Sequence, residues 1–176
     1  MTVAYQGVEG AFAHEACLAF LPRHVPIGLA TFGEVVAAVE ENRTEFGMLP
    51  LANNEAGETG ARELIGKARL HVVAEPFLAV RMHLLGLRFA SLDRIRTIVS
   101  HPVALRQCAR SLAALGLPTE ETSNTALAAK TLTNPRRAVL ASERAAVLYG
   151  LAILKRDMHD RSDNRTKFAI VARSRP

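Results

Sequence analysis

Alternation constrains this chain more than any other feature. Short apolar runs of strand length take turns with stretches whose apolar residues recur at helical spacing. Residues 3–6 read as a strand ended by Gly7 and Gly10, and residues 12–21 as a helix stopped by Pro22. A second strand spans 25–30. Thr31 then caps a helix with Val35, Val36 and Val39 on one face and Glu40, Glu41 and Arg43 towards water. Residues 46–51 give a third strand, followed by a polar, glycine-containing loop over 52–60. The long apolar run 72–85 contains Pro76; it fits one strand leaving a first lobe and another entering a second.

The second half repeats the scheme. A strand over 96–99 leads into Ser100-His101-Pro102, which opens a helix running to about Leu115 with proline at its first position. Residues 118–122 are strand-like, and 125–132 are helical up to Asn134-Pro135. A strand over 138–141 precedes Ser142, which caps a helix over 143–149 that Gly150 terminates. One more strand over 151–154, a polar loop over 155–165 and a last strand over 168–172 complete the pattern. Strands alternating with helices argue for an α/β fold with largely parallel sheets. The expected arrangement is two Rossmann-like lobes around a cleft, lobe one over about 1–78 plus 168–176 and lobe two over about 79–167.

Composition removes several function classes. No run of 18 apolar residues exists, so no membrane span is expected, and the first residues lack the basic-then-apolar layout of a secretory leader. Cys17 and Cys108 are far apart and have no CxxC partner, which suits free buried thiols in a reducing cytoplasm. Net charge is +5, but the 18 arginines are scattered and aromatics make up only 5%, so a nucleic-acid stripe is not expected. A small anionic substrate uses that charge better. The histidines are too dispersed for a metal cluster, and no cofactor is expected.

Ligands of open α/β sheets bind outside the carboxyl ends of strands. Polar residues follow strands here at 7–14, 50–60, 100–102 and 123–125, and a fifth group, Asn164-Arg165-Thr166-Lys167, precedes the last strand. Helix N-termini in such loops present unpaired N–H groups to anions. Any one segment taken alone is more simply a helix cap.

In order and spacing, the segments resemble the prephenate dehydratase catalytic domain. The family's Tyr-x-Gly-Pro-Glu-Gly-Thr-Phe-Ser-His opening stands here as Tyr5-Gln6-Gly7-Val8-Glu9-Gly10-Ala11-Phe12-Ala13-His14. Its Pro-Ile-Glu-Asn-Ser loop stands as Pro50-Leu51-Ala52-Asn53-Asn54, with Gly57 following. Its Ser-His-Pro helix start is intact from Ser100 to Cys108, and its Ser-Thr-Ala-x-Ala-Ala segment reads Asn124-Thr125-Ala126-Leu127-Ala128-Ala129. Its Thr-Arg-Phe signature is Thr166-Lys167-Phe168, with Asn164 before it. The resemblance spans the chain and implies two α/β lobes like those of type II periplasmic binding proteins.

It also implies a carbon–oxygen lyase converting prephenate into phenylpyruvate, carbon dioxide and water, without metal or cofactor. By resemblance, Thr166 donates to the departing hydroxyl, Asn53 offers an amide, and Lys167 stands where the family's arginine would bind a substrate carboxylate. Ala11, Phe12, Ala52, Asn54, Ser100, His101, Thr125, Asn164 and Phe168 match the family's substrate-binding positions. Ala11, Ala13, Ala52, Asn54 and Lys167 are departures, read here as changes around one pocket. They leave open a paralogue refitted to another ring, such as a dehydratase or thioesterase acting on a seven-membered-ring coenzyme A thioester in tropone biosynthesis. A ligand-binding module without turnover is the third alternative.

Other residues invite chemistry less convincingly. His101 and Cys108 share a helical face, but residues seven apart lie about 10 Å apart, so Cys108 reads as core. Glu9 and His14 suit a helix start better than an acid/base pair, and Asp157, Asp160 and Asp163 read as a solvated loop. By resemblance the chain would form a homodimer. The phenylalanine-sensing domain that follows many relatives is missing from this sequence, so no phenylalanine inhibition is expected.

Overall fold

The computed structural model describes residues 1–173; the last three residues of the expected first lobe, 174–176, lie outside them. The order is β1 (Thr2–Gln6), α1 (Phe12–Phe20), β2 (Val25–Leu29), α2 (Phe32–Glu40), β3 (Phe46–Asn53), β4 (Gly57–Glu58), α3 (Ala61–Lys67), β5 (His71–Ala74) and β6 (Phe77–Ala79). Then follow β7 (His83–Gly86), a 3-10 turn (Leu92–Arg94), β8 (Thr97–Ser100), α4 (Pro102–Gln107), α5 (Ala109–Leu115) and β9 (Thr119–Glu121). The chain finishes with α6 (Thr125–Lys130), β10 (Arg137–Ala141), α7 (Glu143–Tyr149), β11 (Ala152–Lys155) and β12 (Arg165–Ala172).

These elements form two compact units. The first contains Met1–Val8, Phe12–Ala79 and the chain from Arg165 on; the second contains Glu9–Ala11 and Val80–Asn164. The first is built on a sheet of order β2-β1-β3-β12-β5, with β4 added to β3 and β6 to β12. Strand alternation sends Val3, Tyr5 and Met48 to one face, against Ala13, Ala16 and Cys17 of α1. Ala4, Leu49 and Leu51 go to the other face, against Val35, Val36, Val39, Ala61 and Ile65 of α2 and α3. The second unit is built on the order β11-β7-β10-β8-β9. Its core joins Leu85 and Val139 to Ala129, Ala145 and Ala146.

Both sheets are mixed rather than largely parallel. β1, β2 and β3 are parallel, but β12 runs antiparallel to β3, β5 and β6. In the second sheet β7 is antiparallel to β10 and β11, while β8 is parallel to β9 and β10. The run 72–85 holds three strands instead of two, because Glu75–Pro76 and Val80 to Met82 interrupt it. The expected long helix after Ser100 breaks at Cys108. The side-chain carboxylate of Asp160 accepts from Arg110 N at 2.8 Å and Ser111 N at 3.2 Å, so it caps a new helix there. Asp160 therefore holds structure, where its sequence context suggested a solvated loop. The expected caps at Thr31, Ser142 and Gly150 are present.

Candidate active site

β3 and β12 run further than their apolar residues indicate, and this extension builds the centre of the first unit's site. Thr166 lies directly opposite Asn53, and Lys167 opposite Ala52. Polar residues read as loop are thus strand residues, since each segment supplies the other's backbone partners.

The Asn53 amide is held in one orientation by its surroundings. Its Oδ1 accepts from Glu55 N at 2.9 Å and Ala56 N at 3.0 Å, closing the turn after β3. Only the oxygen can accept, so Nδ2 must face β12, where it donates to Thr166 Oγ1 at 2.9 Å and Arg165 O at 3.1 Å. Thr166 Oγ1 therefore has a lone pair engaged, which leaves its proton to point elsewhere as a donor. The neighbouring Asn54 ties the same strand ends together, its Oδ1 accepting from Arg165 N at 2.9 Å.

Alternation then separates residues that are adjacent in sequence. Thr166 shares its face with Phe168, which is fully buried against Val3, Tyr5 and Met48, and with Asn53, because a register shift leaves Leu51 as an extra residue in β3 and takes Asn53 off the Leu49–Leu51 face. Lys167 and Arg165 share the opposite face, both reaching the Phe77 ring, with charge-to-centroid distances of 5.6 and 4.8 Å. Lys167 Nζ is bound to Glu75 Oε2 at 2.6 Å, and Glu75 Oε1 takes Arg62 at 3.2 Å. Lys167 holds the Glu75 carboxyl below its ordinary range, chiefly by that hydrogen bond. The structure therefore does not bring Lys167 to Thr166. Ala52, as the cross-strand partner of Lys167, also lies on that opposite face. Ala13 is a core residue of α1. Two of the five departures, Ala52 and Lys167, thus lie on the strand face opposite the Asn53–Thr166 pair, while Ala13 belongs to the core on the Phe168 side.

In the second unit, the Glu9–Ala11 segment rides on α7. Ser142 Oγ donates to Gly10 O at 3.1 Å while accepting from Ala145 N at 3.1 Å, and Tyr149 OH donates to Glu9 O at 2.5 Å. Gly10 has φ +81, and a Cβ there would stand 3.2 Å from Ala145 Cα, so only glycine fits without displacement. Ala11 follows it, half-buried, and Phe12 opens α1 in the first unit. Nothing in the sequence joined Ser142 or Tyr149 to this loop.

The remaining expected residues are mostly structural in their side chains. Ser100 is buried and donates to Leu140 O at 3.0 Å, joining β8 to β10. His101 caps α4, its Nδ1 accepting from Val103 N at 3.2 Å. Asn124, not Thr125, caps α6 through Leu127 N; Thr125 is half-buried in its first turn. Asn164 is buried, and its carbonyl accepts from Val80 N at 2.9 Å. Cys17 and Cys108 are free and buried, and burial pushes both thiols up to about 12. Cys108 Sγ lies 3.8 Å from Met82 Sδ, a core contact. Among the described residues no group of three or more His, Cys, Asp or Glu side chains could hold a metal ion. No helix among them is long and apolar enough to cross a membrane.

Comparison with known proteins identifies the family. The family model described as prephenate dehydratase matches residues 3–176. Arogenate dehydratase/prephenate dehydratase 2 of Arabidopsis thaliana, chloroplastic, is 37% identical over 175 residues, 97% of this chain and 46% of that protein. The chain thus spans about half the length of that relative. Among solved structures, GqqA, described as a quorum quenching acylase, has TM-score 0.91 and 34% identity, covering all of this chain and 65% of that one. The prephenate dehydratase of Arthrobacter aurescens, solved with L-Phe, has TM-score 0.92 at 22% identity, covering all of this chain and 61% of that one. A periplasmic substrate-binding protein of Coxiella burnetii shares the fold alone, at TM-score 0.50 and 13% identity over 98% of this chain and 84% of that one. The order of the motifs along the chain and the family match over residues 3–176 lead to one assignment: the chain belongs to the prephenate dehydratase family.

Proposed function

We propose that this chain dehydrates and decarboxylates a cyclohexadienol acid, either prephenate or its amino-acid counterpart arogenate, leaving an aromatic product. The observation that carries the reading is the Asn53–Thr166 pair. With Asn53 Nδ2 at 2.9 Å donating into Thr166 Oγ1, the threonine proton is directed away from the amide. It is available to the ring hydroxyl as the carbon–oxygen bond breaks. The ring carboxylate leaves as carbon dioxide, its bonding electrons aromatise the ring, and the departing hydroxide takes a proton to become water. A threonine is too weak an acid to give that proton outright, so Thr166 acts by hydrogen bonding while solvent supplies the proton.

Catalytic roles go to Thr166 and Asn53. Lys167, held by Glu75 on the other face, supports β12 and is not assigned a carboxylate. Ala11, Phe12, Asn54 and the backbone at Ser100, His101, Thr125 and Asn164 remain the proposed substrate-binding positions; Ala52, opposite Lys167, and Phe168, buried in the α1-side core, are not among them. A refitted paralogue acting on a seven-membered-ring thioester drew on five departures. Ala52 and Lys167 share the opposite strand face and Asn54 is tied to Arg165, so that reading draws its support from Ala11 and Ala13. A reducing cytoplasm and a homodimer complete the reading.

The test is Thr166→Ala and Thr166→Ser assayed on both substrates. Alanine should lower kcat by about 100-fold or more while ligand affinity changes by less than about tenfold; serine should retain most turnover. Wild-type turnover in Thr166→Ala would overturn the assignment, and no wild-type turnover on either acid would return the ligand-binding and thioester alternatives to first place.

A further inference from the structure

We propose that a hollow in the second unit is a binding site for an aryl carboxylate. The hollow measures about 450 Å³ and lies between the loop after β7, the end of α6 and the end of α7. That volume suits a small organic ligand. Its walls are apolar, with Leu87, Leu132 and Leu151 beside the rings of Phe89 and Tyr149. Phe89 is 94% exposed, an unusual position for a large ring that nothing in the unit covers.

Charge selects the ligand. Arg88 and Lys130 are the charged residues lining the hollow; no Asp or Glu lines it. Among the described residues neither cation has a carboxylate partner. Lys130 in the last turn of α6 complements that helix's carbonyl end. Arg88 stands on a loop and has no such duty; its guanidinium carbon sits 5.8 Å from the Phe89 ring centroid. Two cations over ring-lined walls fit a carboxylate on an aromatic body. An amino acid fits poorly, because its ammonium would meet two cations and no acid. The ligand class is therefore an aryl acid or aryl 2-oxo acid, not its amino-acid counterpart.

Position makes the site distinct within its own unit. β7 and β10 are antiparallel, with His83 opposite Ala141 and Leu85 opposite Val139, so the Gly86 end of β7 lies at the amino end of β10. The hollow follows Gly86, whereas Ser142 follows the other end of β10. Tyr149 links the two ends: its ring lines the hollow and its hydroxyl binds the Glu9 carbonyl. Occupancy should therefore be felt at Gly10.

The experiment is titration of the full chain with 3-phenylpropanoate, followed by amide NMR. The expected result is saturable shifts at residues 87–90, 130, 149–151 and Gly10, with Kd on the order of 1 mM, a normal value for a single-ring ligand. Arg88→Ser with Lys130→Ser should weaken binding about tenfold or more, as should replacing the probe by 3-phenylpropylamine or phenylalanine. Thr166→Ala should leave it unchanged. Both cations are exposed, and Arg88→Gln alone should reproduce part of the loss if the double variant does not fold. Absence of saturable shifts, equal binding of the amine, or binding that follows Thr166 instead of Arg88 overturns the proposal. So does Phe89-dependent self-association with no response to the carboxylate, which would make the hollow a face between copies. The proposal does not rest on the dehydratase reading, since none of these readouts needs turnover.

Discussion

Asn53→Asp tests the site by reversing one hydrogen bond while keeping shape. The aspartate retains an oxygen for the N–H groups of Glu55 and Ala56, so the turn after β3 survives. Its second oxygen replaces Nδ2, 2.9 Å from Thr166 Oγ1 and 3.1 Å from Arg165 O. A carboxylate cannot donate, so Thr166 must turn its proton inward to satisfy it, and the donor aimed at the departing hydroxyl is lost. Removing one donor from a developing negative charge costs about 3–4 kcal/mol, or roughly 100- to 1,000-fold in kcat. Folding should suffer less: one hydrogen bond to a carbonyl becomes an oxygen–oxygen contact, worth about 1–3 kcal/mol. The assay follows phenylpyruvate by its absorbance in alkali, with the acid-catalysed background subtracted. As pH falls through the carboxyl's pKa, its protonated form can donate as the amide did, so the variant should regain activity in acid while the wild type does not. A variant that turns over like wild type at neutral pH, or that loses activity only by unfolding, would refute the donor argument.

Three further outcomes follow from the second unit. Ser142→Ala removes both the donor to Gly10 O and the acceptor for Ala145 N at a buried position; it should cost about 1–3 kcal/mol, seen as a Tm lower by several degrees. Asp160→Ala uncaps α5 and should lose about 0.5–2 kcal/mol by denaturant titration, leaving kcat near its original value. His83 is buried, which lowers its pKa, and its Nδ1 accepts from Asp157 N at 3.0 Å. Its neutral form belongs to the fold, so the stability tied to it is present above the unfolded value of about 6.5 and fades as pH drops below that, where the unfolded chain takes the proton first. His83→Gln should flatten the stability curve just below about pH 6.5, and an unchanged slope there would show that other groups set it.

The alternation of elements was legible because each strand and helix carries its own apolar period. Caps at Thr31, Ser142 and Gly150 were legible for the same local reason. What failed to show was anything decided by a distant partner. Cys108 breaks a helix because Asp160, 52 residues on, caps the next one, and no local residue announces that. Ser142 reads as a simple cap, yet its proton goes to a loop 132 residues away.

The departures from the family pattern show most clearly why position in sequence and position in space diverge. Ala52 and Asn53 are adjacent, as are Thr166 and Lys167, so all four read as parts of one pocket. A strand sends neighbours to opposite faces, and register then decides the pairs. Asn53 meets Thr166, and Ala52 meets Lys167. The two changed residues are therefore each other's cross-strand partners, and the two kept residues are each other's hydrogen-bond partners. Where the family pattern puts an acid opposite an arginine, this chain has alanine opposite a lysine that turns to Glu75. That is one concerted alteration of the α3-side face. Cβ atoms directly opposite lie about 5 Å apart, so Ala52→Glu should draw Lys167 away from Glu75. The pair is half-exposed and worth no more than about 1 kcal/mol, so neither stability nor turnover should move far. A large gain in turnover on prephenate from Ala52→Glu with Lys167→Arg would show instead that this face reaches the chemistry, and that the two strands' faces act together.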